Sequence, residues 1–184
     1  MQSSKTSSAT IGQRVAVVGC CGAGKSTFAK QIAERTGHQY INADEIFWLP
    51  DWVQRPKPEY RSILTRKMSG DGWVYDGNIG SNRSITLPRV DTLIWLDYSW
   101  PVTMSRLLKR TVRRAWTKVE VFSGNAESWR QSFASKDSIL LYACGAFGDY
   151  RARYRKMFAD PPEHVCHAVR LASPRHAEAF VQSL

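Results

Sequence analysis

The chain has 184 residues and a mass of 20.9 kDa, which suits a single domain and argues against two full ones. Hydrophobic residues make up 43% and charged residues 23%, which argues against global disorder, and no stretch approaches the roughly 18 apolar residues of a membrane helix. The formal net charge of +10 favours polyanionic partners: nucleotides, nucleic acid or acidic membrane surfaces. We expect a soluble, cytoplasmic protein.

The chain begins with a Ser/Thr-rich stretch and continues as an alternation of short apolar runs and amphipathic helical patterns. Residues 1–12 are predicted to form a flexible tail, and residues 13–184 a single domain. Such an alternation is typical of an α/β fold with a parallel sheet. The predicted strands are residues 15–18, 40–41, 73–75, 93–96 and 165–171. Residues from about 101 to 160 are predicted to be mostly helical and basic, and Ser173 with Pro174 begins a final helix.

The strongest motif follows the first predicted strand. Residues 19–26 read Gly-Cys-Cys-Gly-Ala-Gly-Lys-Ser and match the phosphate-loop pattern G-x-x-x-x-G-K-[ST] at every fixed position. Its glycines allow backbone N–H groups to surround a phosphate, and the helix that follows adds partial positive charge. Lys25 is expected to bridge the β- and γ-phosphates of ATP, and Ser26 to ligate Mg²⁺. The predicted nucleotide-binding residues are Gly19, Cys20, Cys21, Gly22, Ala23, Gly24, Lys25, Ser26 and Thr27.

Two adjacent cysteines, Cys20 and Cys21, occupy variable positions of this loop. A helix N-terminus lowers the pKa of a nearby thiol, so redox activity is one interpretation. The other interpretation, which we favour, is that small side chains simply fill the loop.

Three acidic residues follow predicted strands, where open α/β sheets bind their ligands. They are Asp44, Asp76 and Asp97. A kinase needs a carboxylate for its metal and often a second one to orient or deprotonate the acceptor. Asp97 follows four apolar residues, so its local pattern resembles a metal-binding Walker B aspartate. Taken singly, each acid is equally well interpreted as a turn or helix cap.

The segment after the fourth predicted strand has a basic and an apolar side when it is placed on a helix. The basic side consists of Arg106, Lys109, Arg110, Arg113 and Arg114. The predicted packing side consists of Met104, Leu107, Leu108, Val112 and Ala115. Guanidinium groups match phosphate oxygens and neutralise the charge of a migrating phosphoryl group. A solvated basic face is the alternative interpretation.

Together these residues resemble the adenylate-kinase-like P-loop kinases of nucleotides and small molecules. Within them, the chain is most similar to the group labelled DNA topology modulation proteins. The resemblance rests on residues 15–27, 44–52, 73–78 with Arg83, and 91–97 with the Arg-rich helix that follows. The D-x-x-F-W-x-P-x-W pattern of residues 44–52 is fairly specific, whereas the basic helix is not.

The resemblance implies a P-loop NTPase three-layer sandwich with a parallel sheet of order 2-3-1-4-5 and a helical, basic lid. It places Asp76, the acid of an Asp-Gly pair, near the metal and moves that role away from Asp97. It also implies that Asp44 is a catalytic, substrate-binding residue that orients the acceptor.

The same resemblance implies roles for four arginines. Arg83 and Arg106 are implied to bind substrate. Arg110 and Arg113 are implied to act catalytically as lid-side residues around the phosphates. ATP and Mg²⁺ are the implied cofactors.

The residues and the resemblance favour an ATP-binding kinase that transfers the γ-phosphate to a small acceptor, either a nucleoside monophosphate or another metabolite. One alternative is a nucleotide-dependent, DNA-associated protein that uses its positive charge on phosphates. Another is an ATP-binding regulatory protein without transferase activity. The expected partners are a nucleotide and a small acceptor. The basic surface is also compatible with nucleic-acid binding, which the kinase function does not require. No membrane partner is expected.

Overall fold

A computed structural model of the chain describes residues 11–80, 82–126, 129 and 138–184. Most of the predicted tail, residues 1–10, and residues 127–128 and 130–137 of the predicted lid lie outside the described residues. Ile11 packs against one face of the sheet, and the Gly12 N–H donates to Thr92 Oγ1 at 2.9 Å. Residues 11 and 12 therefore pack as part of the domain.

The described strands form one parallel sheet of five strands in the order β2-β3-β1-β4-β5. This arrangement confirms the predicted α/β fold and the 2-3-1-4-5 order. The strands are β1 (Arg14–Gly19), β2 (Gln39–Asn42), β3 (Trp73–Asp76), β4 (Thr92–Leu96) and β5 (His167–Leu171). Strand β5 begins two residues later than predicted, at the point where the N–H groups of Cys166 and His167 both bond the Asp91 carbonyl.

Helices connect the strands and cover both faces of the sheet. The described helices are α1 (Lys25–Thr36), α2 (Ala43–Phe47), α3 (Lys57–Lys67), α4 (Arg83–Thr86), α5 (Trp100–Thr117), α6 (Ile139–Ala159) and α7 (Pro174–Gln182). The predicted start of the last helix is confirmed, since Ser173 Oγ accepts a hydrogen bond from the His176 N–H at 3.3 Å. No helix in the described ranges has both the length and the apolar composition needed to span a membrane.

The two faces of the sheet carry separate apolar cores, which gives three layers. On one face Tyr60 and Leu64 of α3 and Tyr154 of α6 belong to the core that includes Trp73 and Trp95. On the other face the apolar sides of α1 and α7 pack against alternate residues of β1, β3 and β4. The central strands are therefore buried on both sides, as continuous apolar runs predict.

The parallel register brings the carboxyl ends of the strands to one edge of the sheet. Asp76 at the end of β3 pairs with Val17 of β1 and with Asn42 of β2. Gly19 at the end of β1 pairs with Leu96 of β4. The phosphate loop, which starts at Gly19, therefore shares this edge with the residues that follow β2, β3 and β4.

The side through which helix α5 packs matches the predicted one only in part. Its buried residues are Thr103, Leu107, Thr111 and Ala115. Leu108 and Val112, which were predicted to pack, are 45% and 38% exposed. The buried residues recur every fourth position and form a narrow stripe. Leu107 and Ala115 were predicted to pack and do so. Hydrophobicity alone favours Leu and Val over Thr, so the pattern included Leu108 and Val112 and missed Thr103 and Thr111.

Candidate active site

Two glycines determine the shape of the phosphate loop. Gly22 and Gly24 have φ values of 87° and 93°, in the left-handed region that residues with a Cβ rarely adopt. A Cβ at Gly22 would also lie 2.5 Å from the Thr103 carbonyl oxygen and 2.8 Å from Leu107 Cβ. The phosphate-loop pattern leaves position 22 open, but contact with α5 requires glycine there.

The ammonium group of Lys25 is folded back onto the loop. It donates to the carbonyl oxygens of Gly19 at 2.9 Å and Cys20 at 3.3 Å. Ser26 and Thr27, in the first turn of α1, are exposed. A cation and two accessible hydroxyls therefore stand together at the helix N-terminus, where anions bind.

Asn78 joins the loop to two other parts of the fold. Its Oδ1 accepts hydrogen bonds from the Gly19 N–H at 3.3 Å and from the Tyr154 hydroxyl of α6 at 2.9 Å. Neither Asn78 nor Tyr154 was predicted to belong to the site. The position of Asn78 directly after the Asp-Gly pair was the available signal, whereas Tyr154 lies 76 residues further along the chain and gave none.

Cys20 has the environment of a packing residue. It is buried, and its Sγ lies 3.9 Å from the Phe147 carbonyl oxygen. Burial raises the pKa of Cys20 to about 11, although the Lys25 ammonium acts in the opposite direction. The thiol is protonated at neutral pH, so the small-side-chain interpretation fits Cys20 better than redox activity does.

Asp76 lies at the end of β3, beside the first turn of α1. It is 4% exposed, and its Oδ2 accepts a hydrogen bond from the Tyr40 hydroxyl at 2.8 Å. Ser26 lies near the Tyr40 hydroxyl. A Cβ at Gly77 would lie 2.5 Å from Ala43 Cβ, so the Asp-Gly pair allows the start of α2 to pass close to β3.

Asp97, the other candidate for the metal, has a different environment. Its side chain is 1% exposed, and both of its oxygens are bound by arginines. Arg151 Nε of α6 donates to Oδ1 at 2.6 Å, and Arg170 Nε of β5 donates to Oδ2 at 2.8 Å. Asp97 therefore ties α6 to the sheet. Its local pattern could not reveal this, because the arginines lie 54 and 73 residues away.

Asp44 is fixed by the cap of the short helix α2. Asn42 is the N-cap, and its Oδ1 accepts hydrogen bonds from the N–H groups of Asp44 at 2.9 Å and Glu45 at 3.3 Å. Because Asn42 also pairs with Asp76 in the sheet, the cap holds Asp44 in place relative to β3. Asn42 was not predicted as a site residue, although Asn followed by acidic residues is the usual start of a helix.

The carboxyl group of Asp44 lies among charges of both signs. It is accessible to solvent, but the surrounding protein desolvates it enough to raise its pKa. Asp76 adds to this increase, while Lys25, Arg110 and Arg114 lower the pKa. Two carboxylates and three cations therefore interact at this edge of the sheet. Such an arrangement is able to orient a hydroxyl group and receive its proton.

The arginines of α5 differ in depth and direction. Arg110 is half-buried, on the side of α5 that faces Asp44. Arg113 is exposed, whereas Arg114, which was not among the predicted catalytic residues, is half-buried and acts on Asp44. Residues four positions apart lie on the same side of a helix. Arg114 therefore lies on the same side of α5 as Arg110, whereas Arg113 is turned toward solvent.

Arg106 contacts the loop directly. Its Nη1 donates to the Ala23 carbonyl at 3.3 Å, and its guanidinium lies 5.7 Å from the centre of the Tyr98 ring. Arg83 lies instead at the start of α4, exposed, where it lines an open pocket of about 630 Å³ with Leu87 and His164. Within the described residues, no hydrogen bond or ion pair joins Arg83 to the phosphate loop.

The described residues after α5 dock on the segment that follows α2. Asn125 Nδ2 donates to the Leu49 carbonyl at 2.9 Å, and Asn125 Oδ1 accepts from the Trp52 N–H at 2.9 Å. Ser123 Oγ donates to the Trp48 carbonyl at 2.5 Å. This contact links part of the predicted lid to the D-x-x-F-W-x-P-x-W segment.

Known structures share this architecture at low sequence identity. A gluconokinase from Sinorhizobium meliloti 1021 is 18% identical with a TM-score of 0.52, over 96% of this chain and 91% of that one. A shikimate kinase from Acinetobacter baumannii, in complex with shikimate, is 15% identical with a TM-score of 0.53, over 91% and 88%. The chain has the fold of the P-loop kinases.

Sequence comparison adds little to this. No protein-family model matches the chain. The uncharacterized protein YqaC of Bacillus subtilis (strain 168) is 22% identical over 132 residues, which are 71% of this chain and 72% of YqaC.

Replacing Asp44 by asparagine is expected to stabilise the fold at neutral pH. Because the pKa of folded Asp44 is raised above its ordinary value of 3.8, folded Asp44 holds its proton more tightly than the unfolded chain does. Ionisation therefore lowers the free energy of unfolding as the pH rises from the ordinary value of 3.8 through the raised pKa of the folded state, and the loss is complete above it. Asp44→Asn should exceed the wild type in free energy of unfolding at pH 7, and the difference should shrink toward about pH 4.

Urea denaturation at both pH values measures this difference. Asp71→Asn, at an exposed turn, is the matched control and should shift the free energy of unfolding by no more than about 0.5 kcal/mol. An Asp44→Asn variant that is less stable than the wild type at pH 7 would contradict the expected ionisation behaviour.

Proposed function

We propose that the chain is an ATP-dependent kinase that transfers the γ-phosphate to a hydroxyl group of a small acceptor. The observation that carries the proposal is that Lys25, Asp76 and Asp44 lie at one edge of the sheet. The charges of Lys25 and Asp76 both influence the pKa of the Asp44 carboxyl group. A phosphate loop alone would suit any nucleotide-binding protein. A second, accessible carboxylate beside it is what an acceptor hydroxyl requires. The fold shared with P-loop kinases of small molecules supports the same conclusion.

Nucleotide binding would rest on the loop residues 19–27. The Lys25 ammonium would exchange its bonds to the Gly19 and Cys20 carbonyls for bonds to the β- and γ-phosphate oxygens. This exchange replaces neutral acceptors by charged ones and so strengthens the hydrogen bonds. Arg106 would add positive charge at the loop, since it already contacts the Ala23 carbonyl.

The donor groups at this edge fit Mg²⁺. No group of three Asp, Glu, His or Cys side chains among the described residues is arranged to hold a metal by itself. Mg²⁺ in phosphoryl-transfer sites is typically held by one or two carboxylates together with substrate phosphates. Ser26 and the buried Asp76 would hold it here. Bound Mg²⁺ would neutralise the charge on the β- and γ-phosphates.

Asp44 would orient the acceptor and take its proton. As the acceptor oxygen bonds to the γ-phosphorus, the bond between that phosphorus and the β,γ-bridging oxygen breaks, and ADP leaves. The acceptor proton passes to Asp44, whose raised pKa suits a carboxylate that must receive it. Arg110 and Arg114 would offset the negative charge spread over the transferred phosphoryl group.

The acceptor is proposed to carry a negative charge as well as a hydroxyl group. Arg110 and Arg114 place two guanidinium groups near Asp44 in addition to the Lys25 ammonium. Guanidinium groups bind carboxylate and phosphate oxygens in a paired geometry. A nucleoside monophosphate or another anionic metabolite fits this site better than a neutral acceptor.

Two further predictions from the sequence belong to this proposal. A cytoplasmic location fits an enzyme that consumes ATP. Membership of the DNA topology modulation group would add DNA binding, which rests on the net charge of +10. Such binding would fall steeply with salt concentration, whereas a kinase should bind DNA only weakly and without specificity.

Turnover of MgATP by the purified protein tests the kinase proposal. The acceptor panel contains nucleoside monophosphates, nucleosides and hydroxylated metabolites with and without a carboxylate. One acceptor is expected to yield ADP and phosphorylated product in equal amounts. Lys25→Ala should lower the rate roughly 10²–10³-fold, because it removes the cation at the phosphates.

Lys67→Ala is the matched control, since it removes the same charge from the exposed end of α3, before β3 begins. It should leave the rate unchanged. ATP binding without turnover on any acceptor would contradict the kinase proposal and favour the regulatory alternative.

Arg114 and Arg113 provide a second comparison on one helix. Arg114→Gln should raise the KM for the acceptor about tenfold or more, because it removes a charged hydrogen-bond donor beside Asp44. Arg113→Gln makes the same chemical change on the exposed side and should leave the KM near the wild-type value. Equal effects of the two substitutions would show that net charge, and not position, governs acceptor binding.

A further inference from the structure

The Tyr40 hydroxyl contacts Asp76, one of the two groups proposed to hold Mg²⁺. It donates to Asp76 Oδ2 at 2.8 Å, and Asn42 Nδ2 donates to it at 3.2 Å. The Lys30 ammonium lies 5.4 Å from the centre of the Tyr40 ring. The hydroxyl is therefore held between a donor on β2 and an acceptor on β3.

The directions of these hydrogen bonds determine what Tyr40 does. A phenol has one proton, and Tyr40 donates it to Asp76. The Tyr40 oxygen accepts from Asn42 Nδ2, so the hydroxyl is fixed and in turn fixes Asp76 Oδ2. The Asp76 carboxylate then has Oδ1 to offer to a metal.

Mg²⁺ prefers carboxylate, phosphate and water oxygens as ligands. The Tyr40 hydroxyl, which donates its proton to Asp76, is thus suited to orient a metal ligand and not to act as one.

We infer that Tyr40 is a positioning residue for the metal site, which orients Asp76 toward Mg²⁺ through its hydroxyl group. This inference rests on the proposed kinase function. Side chains that orient metal ligands typically contribute 10–100-fold to metal affinity.

The test measures metal and nucleotide affinity separately in Tyr40→Phe. The Mn²⁺ affinity of the ADP-saturated protein is obtained from the EPR signal of free Mn²⁺, and ADP affinity without metal from calorimetry in EDTA. Tyr40→Phe should lower the Mn²⁺ affinity roughly 10–100-fold and leave the ADP affinity in EDTA unchanged. Tyr150→Phe is the matched control, since it removes a hydroxyl that bonds Tyr142 on the same helix, and should change neither affinity.

Three other outcomes would overturn the inference, and they can be distinguished from one another. Equal Mn²⁺ affinity in Tyr40→Phe and the wild type would show that the hydroxyl does not orient the metal ligands, and would leave the kinase proposal intact. An equal loss of ADP affinity in EDTA would show that Tyr40 supports the loop and not the metal. Failure of the wild type to bind ADP with or without metal would overturn the kinase proposal together with the inference.

Discussion

The site depends on the parallel register of β1, β2 and β3. This register places Val17, Asn42 and Asp76 at one level across the sheet. All that follows these strands is therefore brought to one edge: the phosphate loop after β1, Asp44 after β2 and the Asp-Gly pair after β3. A shift of one residue would turn Asp76 to the opposite face of the sheet and separate it from Tyr40. The chemistry proposed here is thus a consequence of strand pairing more than of any single side chain.

Acidic residues at this edge have different environments even though their sequence positions are alike. Asp76 and Asp97 both end a buried strand, but Asp97 is bound by Arg151 and Arg170, whereas Asp76 accepts a hydrogen bond from a neutral tyrosine. A carboxylate between two guanidinium groups is already neutralised, so Asp97 is suited to holding α6 against the sheet. The hydrogen bond from Tyr40 brings no positive charge to Asp76, so this carboxylate is suited to a metal. Asp44 differs again, because it is accessible and its pKa is raised.

The sequence predicted the fold and the phosphate loop because both depend on local patterns. Apolar runs separated by amphipathic helices indicated the parallel sheet, and eight consecutive residues carried the loop motif. Tyr40, Asn78 and Arg114 were missed because their importance arises from partners distant in the chain or from the rotation of a helix. The buried stripe of α5 shows the same limit, since hydrophobicity ranks Leu108 above Thr111, while the rotation of the helix buries Thr111 and exposes Leu108.

Comparison of Asp76→Asn with Asp97→Asn tests the division of roles at this edge most directly. ATP affinity is measured with and without Mg²⁺, and the free energy of unfolding is measured alongside. Asp76→Asn is predicted to lose most of the Mg²⁺ dependence of ATP binding and to keep the affinity without metal. Asp97→Asn is predicted to keep the Mg²⁺ dependence and to lower the free energy of unfolding by about 1–3 kcal/mol, because charged hydrogen bonds to Arg151 and Arg170 are lost. The opposite result, with Mg²⁺ dependence lost in Asp97→Asn and kept in Asp76→Asn, would contradict the account.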